Sequence, residues 1–222
     1  MDLEDLRVTI YERFASSGSR PSAAWLGRIL RASEDEVLDG LRALADARHV
    51  ALDDRGEIVM AHPFSAVPLG FSVMGPSTLW WGGCAWDAFA MPFLLPDLPD
   101  ALVATRCPGC DAALAWVVRT DAPPEGSEVA HFVVPMARCW DDVVHTCGHQ
   151  RLFCSEACVD ACLAASGNAR GYVMDLATLW RLASDWYTGR LDPGYVRREP
   201  AEAKAYFASA GLSGPFWGLG TD

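Results

Sequence analysis

The chain has 222 residues, of which 51% are hydrophobic and 21% charged, so it has enough apolar side chains to bury a core. Its formal net charge of −11 argues against a nucleic acid or anionic membrane partner, because both require a basic surface. The N-terminus (MDLED) is acidic where a secretory signal is basic, and no run reaches the roughly 18 apolar residues of a membrane helix. We expect a cytoplasmic protein with no nucleic acid and no membrane partner.

Residues 1–65 have the pattern of a winged helix, which is three helices followed by a β-hairpin. Apolar residues recur at helical spacing, and Ser33 with Glu36 forms a capping box that starts the third helix. Two short β-type runs around a glycine-containing turn predict the hairpin. Winged helices often bind DNA, but this segment has 8 Arg and 12 Asp plus Glu, and phosphate would repel it. We therefore expect a cap or lid that does not bind DNA.

Every cysteine lies beyond residue 83, which predicts two parts with different roles. Residues 61–68 contain two prolines and no clear period, so they are the predicted linker. Residues 66–222 mix short β-type runs with helical patterns, including a predicted strand at 142–147 and a helix at 155–165. The predicted fold class is α+β: a winged-helix-like three-helix domain over 1–65, then a mixed domain with a small irregular β-sheet and flanking helices over 66–222.

The stretch 80–92 (WWGGCAWDAFAMP) places a thiol and a carboxylate three residues apart, at Cys84 and Asp87. The run 86–95 predicts a buried helix in which Asp87 is the only charge, and residues three apart share a helix face. A helix N-terminus favours a thiolate at Cys84, whereas apolar surroundings favour the protonated form of Asp87. A buried cysteine beside a helix-capping aspartate explains the same residues without chemistry.

A turn with two thiols, Cys107-Pro-Gly-Cys110, has the form of half a tetrahedral zinc site. Cys154 and Cys158 are spaced to lie on one helix face and are candidates for the other half, as is Cys139. An incidental turn or a redox-labile pair is the alternative for the first two thiols. A buried helix face is the alternative for the later cysteines, and we favour it for Cys162.

A third group is formed by His145, Cys147 and His149, which alternate along the predicted strand and would lie on one side of it. All three side chains are potential metal ligands. The end of this strand could bring Cys147 to the helix that carries Cys84. A half-exposed strand edge is the alternative.

The Cys84-x-x-Asp87 motif within the Trp-rich segment, followed at a distance by Cys147 and the 152–153 stretch, resembles the organomercurial (alkylmercury) lyases over most of the chain. The resemblance implies a winged-helix-like domain followed by a mixed domain with an irregular sheet. It implies Cys84, Asp87 and Cys147 as catalytic residues and mercury ligands. It also implies a structural role for Cys107.

The reaction that this resemblance implies is protonolysis of a carbon–mercury bond, giving Hg(II) and a hydrocarbon. Thiolates are the soft ligands that a soft metal prefers. A wall of Trp80, Trp81 and Trp86 would exclude water, accept apolar organic groups and raise the pKa of Asp87. Catalysis would need no cofactor, although a structural zinc ion is a candidate. The expected partners are an organomercurial small molecule, cytosolic thiols and a mercuric reductase.

Five cysteines exceed the lyase pattern, and two interpretations other than the lyase stay open. The first is a non-catalytic soft-metal (zinc, copper or mercury) binding protein that uses Cys107, Cys110, Cys154 and Cys158. The second is a lyase-like enzyme recruited to biosynthesis. The five additional residues are Cys110, Cys139, Cys154, Cys158 and Cys162.

Overall fold

The computed structural model describes residues 1–220, which form a seven-stranded and a three-stranded antiparallel sheet with helices packed on them. The predicted α+β fold class is confirmed. None of the helices within these residues is both long enough and apolar enough to span a membrane.

The N-terminal segment contains the three predicted helices and the hairpin. Each helix begins at a polar cap, Asp2, Ser22 or Ser33, whose side chain accepts backbone N–H groups of the first turn, and the predicted Ser33–Glu36 capping box is present. The elements of this segment are α1 (Leu3–Ser17), α2 (Ala23–Leu30), α3 (Glu34–Asp46), β1 (Ala51–Leu52), β2 (Ile58–Ala61) and β3 (Phe64–Ser65).

The large sheet continues from this hairpin into the rest of the chain. Its order is β1-β2-β3-β5-β4-β6-β7, and Phe64 of β3 pairs with Gly82 of β5. The sheet therefore crosses residue 65, and the predicted linker contributes a strand to it. The remaining strands of this sheet are β4 (Phe71–Met74), β5 (Leu79–Gly82), β6 (Asp100–Arg106) and β7 (Ala113–Arg119).

One buried helix, α4 (Ala85–Leu94), packs against the large sheet as the run 86–95 predicts. Nine of its ten residues are buried, which is typical of a helix that is apolar on every side. A second helix, α7 (Leu176–Ser184), packs against it. Residues that begin α4 are therefore held inside the protein.

The small sheet and its helices complete the fold, and they correct one prediction. Residues 142–147 were expected to form a strand but form helix α5 (Val143–Gly148), because the Asp142 side chain caps it by accepting the His145 N–H. The other elements are β8 (Val129–Phe132), β9 (Gln150–Phe153), α6 (Glu156–Ser166), β10 (Tyr172–Asp175) and α8 (Pro200–Ser209), with sheet order β10-β8-β9.

Two buried arginines join α1 to the segment before α8. Arg7 is 1% exposed and donates hydrogen bonds to the carbonyl oxygens of Arg190 and Asp192. Arg190 in turn donates to the Tyr11 hydroxyl. Because buried charge is costly without such partners, these contacts fix the chain beside Tyr187 against the N-terminal helices.

Candidate active site

Cys84 lies where strand β5 turns into helix α4. It is the N-cap of α4, and its Sγ accepts a hydrogen bond from the Asp87 N–H at 3.3 Å. The preceding Gly83 leaves room for the carboxylate, since a Cβ at Gly83 would lie 2.4 Å from Asp87 Oδ2. The local sequence thus brings the thiol and the carboxyl together, as predicted from the spacing.

Asp87 is buried and has a proton-donating partner far along the chain. The Tyr187 hydroxyl donates a hydrogen bond to Asp87 Oδ1 at 2.5 Å. Burial raises the pKa of Asp87 to about 7, although the hydrogen bonds of Tyr187 and Cys84 and the charge of Arg190 oppose the rise. The carboxyl therefore gains or loses a proton near neutral pH.

Helix α5 brings Cys147 to the same place. Its Sγ lies 4.0 Å from Asp87 Oδ2 and 3.4 Å from His62 Nε2. A hydrogen bond with Cys84 lowers the pKa of Cys147, but burial and the Asp87 carboxylate outweigh it and leave the pKa above its ordinary value. The expected grouping of Cys84, Asp87 and Cys147 is present, although a helix supplies Cys147 rather than a strand.

The ionisation of Cys84 differs from the sequence-based expectation. A helix N-terminus was expected to favour the thiolate, yet burial raises the pKa of Cys84 well above its ordinary value. The helix end supplies one N–H to the sulfur, whereas the surroundings, in which Cys84 is 2% exposed, remove its water. Both thiols are therefore protonated at neutral pH.

His62 belongs to the site, although nothing in the sequence distinguishes it from any lone histidine in a predicted linker. Burial lowers the pKa of His62 to about 3, and the charges of Arg190 and Arg197 contribute. His62 is therefore neutral at pH 7, and its pKa lies about four units below that of Asp87. Asp87 is the stronger base of the two neighbours of Cys147.

These groups line a cavity of about 260 Å³. Of the predicted tryptophan wall, Trp86 lines the cavity and donates its indole N–H to the Leu182 carbonyl. The prediction is corrected for the other two: Trp80 donates to the Phe14 and Ala15 carbonyls, and Trp81 is 36% exposed. The aromatic residues around the cavity are Trp86, Trp140, Trp186, Tyr187, Tyr195 and Phe207.

The cavity also has a basic side and a further thiol. Arg48, Arg197 and Arg198 line it, and both Arg48 and Arg197 lie over the Trp140 ring. Cys139 lines the cavity as well. His145 is exposed, its ring centroid lies 4.1 Å from that of His149, and neither of these two predicted ligands lines the cavity with Cys147.

The remaining predicted metal residues form a separate cluster. The thiols of Cys107, Cys110, Cys154 and Cys158 all lie within 4.8 Å of one another. Cys162, one turn further along α6, is not part of that cluster.

Two buried thiols around a buried carboxyl in one cavity, on this α+β scaffold, define a protein that can hold a soft metal beside a proton carrier. The family model for alkylmercury lyase (MerB) matches residues 64–188, which is more than half of the chain and includes Cys84, Asp87 and Cys147. The chain belongs to the alkylmercury lyase family. The predicted family and enzyme class are thereby confirmed.

A solved structure shares the fold. The crystal structure of the mercury-bound form of MerB2 superimposes with a TM-score of 0.62, covers 86% of this chain and 98% of that chain, and is 16% identical in sequence. No curated protein sequence matches the chain significantly.

Proposed function

We propose that this enzyme cleaves the carbon–mercury bond of organomercurials by protonolysis, with Cys84 and Cys147 as mercury ligands and Asp87 as the proton carrier. The observation that carries the proposal is the buried carboxyl with a pKa of about 7 that lies 4.0 Å from the Cys147 sulfur and three residues from Cys84. A group with this pKa can both accept and return a proton at neutral pH.

Capture of the substrate uses one of the two thiols. The organomercurial arrives as a complex with a small thiolate, and one protein sulfur replaces that thiolate on mercury. The displaced thiolate takes the proton that the protein thiol loses, so no buried charge accumulates. This exchange suits Cys84 and Cys147, since burial keeps the pKa of each above its ordinary value in the free protein.

Formation of the second sulfur–mercury bond transfers a proton to Asp87. The second thiol gives its proton to the Asp87 carboxylate, whose pKa is about four units above that of neutral His62. Mercury then carries two thiolates and the organic group. The two soft donors raise the electron density on the bound carbon.

Protonation of carbon completes the reaction. The carboxyl proton of Asp87 passes to the carbon, and the electron pair of the carbon–mercury bond becomes the new carbon–hydrogen bond. The hydrocarbon leaves, and Hg(II) stays between the two thiolates with the Asp87 carboxylate nearby. Small thiols then remove Hg(II), which a mercuric reductase would consume.

Headspace gas chromatography tests the proposal. Reduced protein is mixed with methylmercury or phenylmercury and excess small thiol, beside a Cys84→Ala variant. The parent is expected to release methane or benzene, one per Hg(II) formed, and the variant is expected to release none above background. Mercury binding by the parent without hydrocarbon release would contradict the proposal and favour the non-catalytic soft-metal binding protein.

Tyr187→Phe is expected to shift the acid side of the pH–rate profile to higher pH. The parent's kcat/KM should fall below pH 7, because Asp87 must be ionised to accept the second thiol proton. Tyr187 lowers the pKa of Asp87 by donating to its carboxylate, so removing that donor should move the midpoint upward by about one pH unit.

The matched control for this experiment is Tyr172→Phe, which removes a hydroxyl on β10 outside the cavity. Its profile of kcat/KM against pH should coincide with that of the parent. An unshifted midpoint in Tyr187→Phe would show that the ionisation on the acid side does not belong to Asp87.

A further inference from the structure

We propose that Cys107, Cys110, Cys154 and Cys158 hold one structural Zn²⁺ ion at a site separate from the mercury cavity. The four thiols come from two places in the fold. Cys107 and Cys110 lie in the turn between β6 and β7, whereas Cys154 follows β9 and Cys158 lies in the first turn of α6.

The sulfur positions fit a tetrahedral ion. All four sulfurs lie within 4.8 Å of one another, and Cys110 Sγ is 3.6 Å from Cys154 Sγ. Zinc–sulfur bonds of about 2.3 Å in tetrahedral geometry place the sulfurs about 3.8 Å apart, so the sulfur atoms would move by about 1 Å when zinc binds. All four cysteines are free thiols in the structure, so no disulfide accounts for their grouping.

The backbone around the thiols is arranged for this cluster. The Cys154 N–H donates to Cys107 Sγ at 3.4 Å, which is the kind of donor that stabilises a metal-bound thiolate. The turn is closed by the Cys107 N–H to the Ala112 carbonyl and by the Asp111 N–H to the Cys107 carbonyl. These contacts hold the first pair in the conformation of a metal-binding knuckle.

Gly109 shows that the two halves of the site meet at backbone distance. A Cβ at Gly109 would lie 2.2 Å from the carbonyl oxygen of Cys158, so only glycine permits this approach. The approach brings the β6–β7 turn against the start of α6 and completes the set of four sulfurs. It is independent of the sulfur distances and points to the same joined site.

Four thiolates leave no open position on zinc, which is the pattern of a structural ion. The ion would join the β6–β7 end of the large sheet to β9, and β9 begins three residues after Cys147. Arg151 of β9 also contacts the large sheet by donating to the hydroxyl of Thr105 in β6. The ion would therefore brace the segment that positions Cys147 without contacting the cavity.

The test of the proposal is to measure metal content by mass spectrometry. The protein is reduced, free of mercury and purified from zinc-supplemented cells. We expect one zinc per chain in the parent and loss of that zinc in Cys110→Ser and Cys154→Ser. Cys162→Ser is the matched control on α6, and Cys84→Ser the control for the cavity; both should keep the ion. X-ray absorption should show four sulfurs at about 2.3 Å.

Several outcomes would overturn the proposal. They are less than half an equivalent of metal in the parent, iron in place of zinc, zinc retained in both serine variants, or nitrogen and oxygen ligands that indicate binding at His62, Asp87 and Cys147. If the serine variants fail to fold, the parent supplies the test. A chelator should lower its thermal midpoint and zinc should restore it, and an unchanged midpoint after complete zinc removal would contradict a structural ion.

Discussion

Replacing Cys147 by serine is expected to lower hydrocarbon release at least about a thousandfold, which corresponds to about 4 kcal/mol of transition-state stabilisation. A serine hydroxyl is a hard ligand that stays protonated, so mercury would keep a single thiolate and the carbon would remain a poor proton acceptor. Asp87 would also lose the thiol proton that it is expected to deliver. The measurement is the initial rate of methane or benzene release at saturating substrate.

Cys84→Ser should cause a loss of the same order, and the double variant should be no slower than either single variant. Residues that act as one unit give such non-additive losses. Cys162→Ser removes a thiol outside the cavity and should keep the parent rate. Cleavage by Cys147→Ser that disappears only when Cys139 is also replaced would instead make Cys139, which lines the same cavity, the second ligand.

One part of the site could be predicted because its residues are close together in the sequence. Gly83, Cys84 and Asp87 lie within five residues, and the apolar run that follows them has the composition of a buried helix. Spacing on a helix is enough to place a thiol beside a carboxyl. The Ser33–Glu36 capping box and the short β-type runs are local in the same sense, and the fold class was predicted from such patterns.

The rest of the site depends on contacts between residues that are far apart in the chain, and no short sequence pattern predicts such contacts. Tyr187 reaches Asp87 from 100 residues away, and His62 reaches Cys147 from 85 residues away. The alternation of His145, Cys147 and His149 was interpreted as a strand, but Asp142 caps a helix there. Local capping outweighed a period-two pattern that consists of only three side chains over five residues.

Two further errors have physical causes. Adjacent residues of a strand point to opposite faces, so Trp80 and Trp81 of β5 could not both line one cavity. For Cys84, the favourable effect of a helix N-terminus is at most about 2 kcal/mol, whereas burying an ion costs several kcal/mol. The larger effect decides the ionisation state, and burial is visible only in the folded structure.

Asp87→Asn is expected to slow catalysis strongly and to stabilise the fold at neutral and alkaline pH. The amide cannot carry the proton to carbon, so hydrocarbon release should fall by about two to four powers of ten. The amide oxygen can still accept the Tyr187 hydroxyl hydrogen bond, and the side-chain volume is unchanged. Folding is therefore retained while the ionisable group is removed.

The sign of the stability change follows from the pKa of Asp87, which is raised from 3.8 to about 7. Between these values the folded protein keeps a proton that the unfolded chain has lost, so unfolding releases a proton and rising pH destabilises the parent. Above pH 7, this effect lowers the parent's free energy of unfolding by up to about 4 kcal/mol, since each pKa unit is worth about 1.4 kcal/mol. The asparagine variant lacks the ionisable group, so its free energy of unfolding is not lowered in this way.

His62 has the opposite effect in nearly the same pH range, so the parent's own pH profile does not isolate Asp87. Burial lowers the pKa of His62 from 6.5 to about 3, so unfolding takes up a proton there and rising pH stabilises the fold. Because His62 is present in both proteins, it cancels in the difference between their unfolding free energies in urea. From pH 4 to pH 8, the free energy of unfolding of the variant should increasingly exceed that of the parent. A difference independent of pH would mean that ionisation of Asp87 does not destabilise the folded protein. The carboxyl would then have an ordinary pKa, and it could not hold a thiol proton at neutral pH long enough to deliver it to carbon.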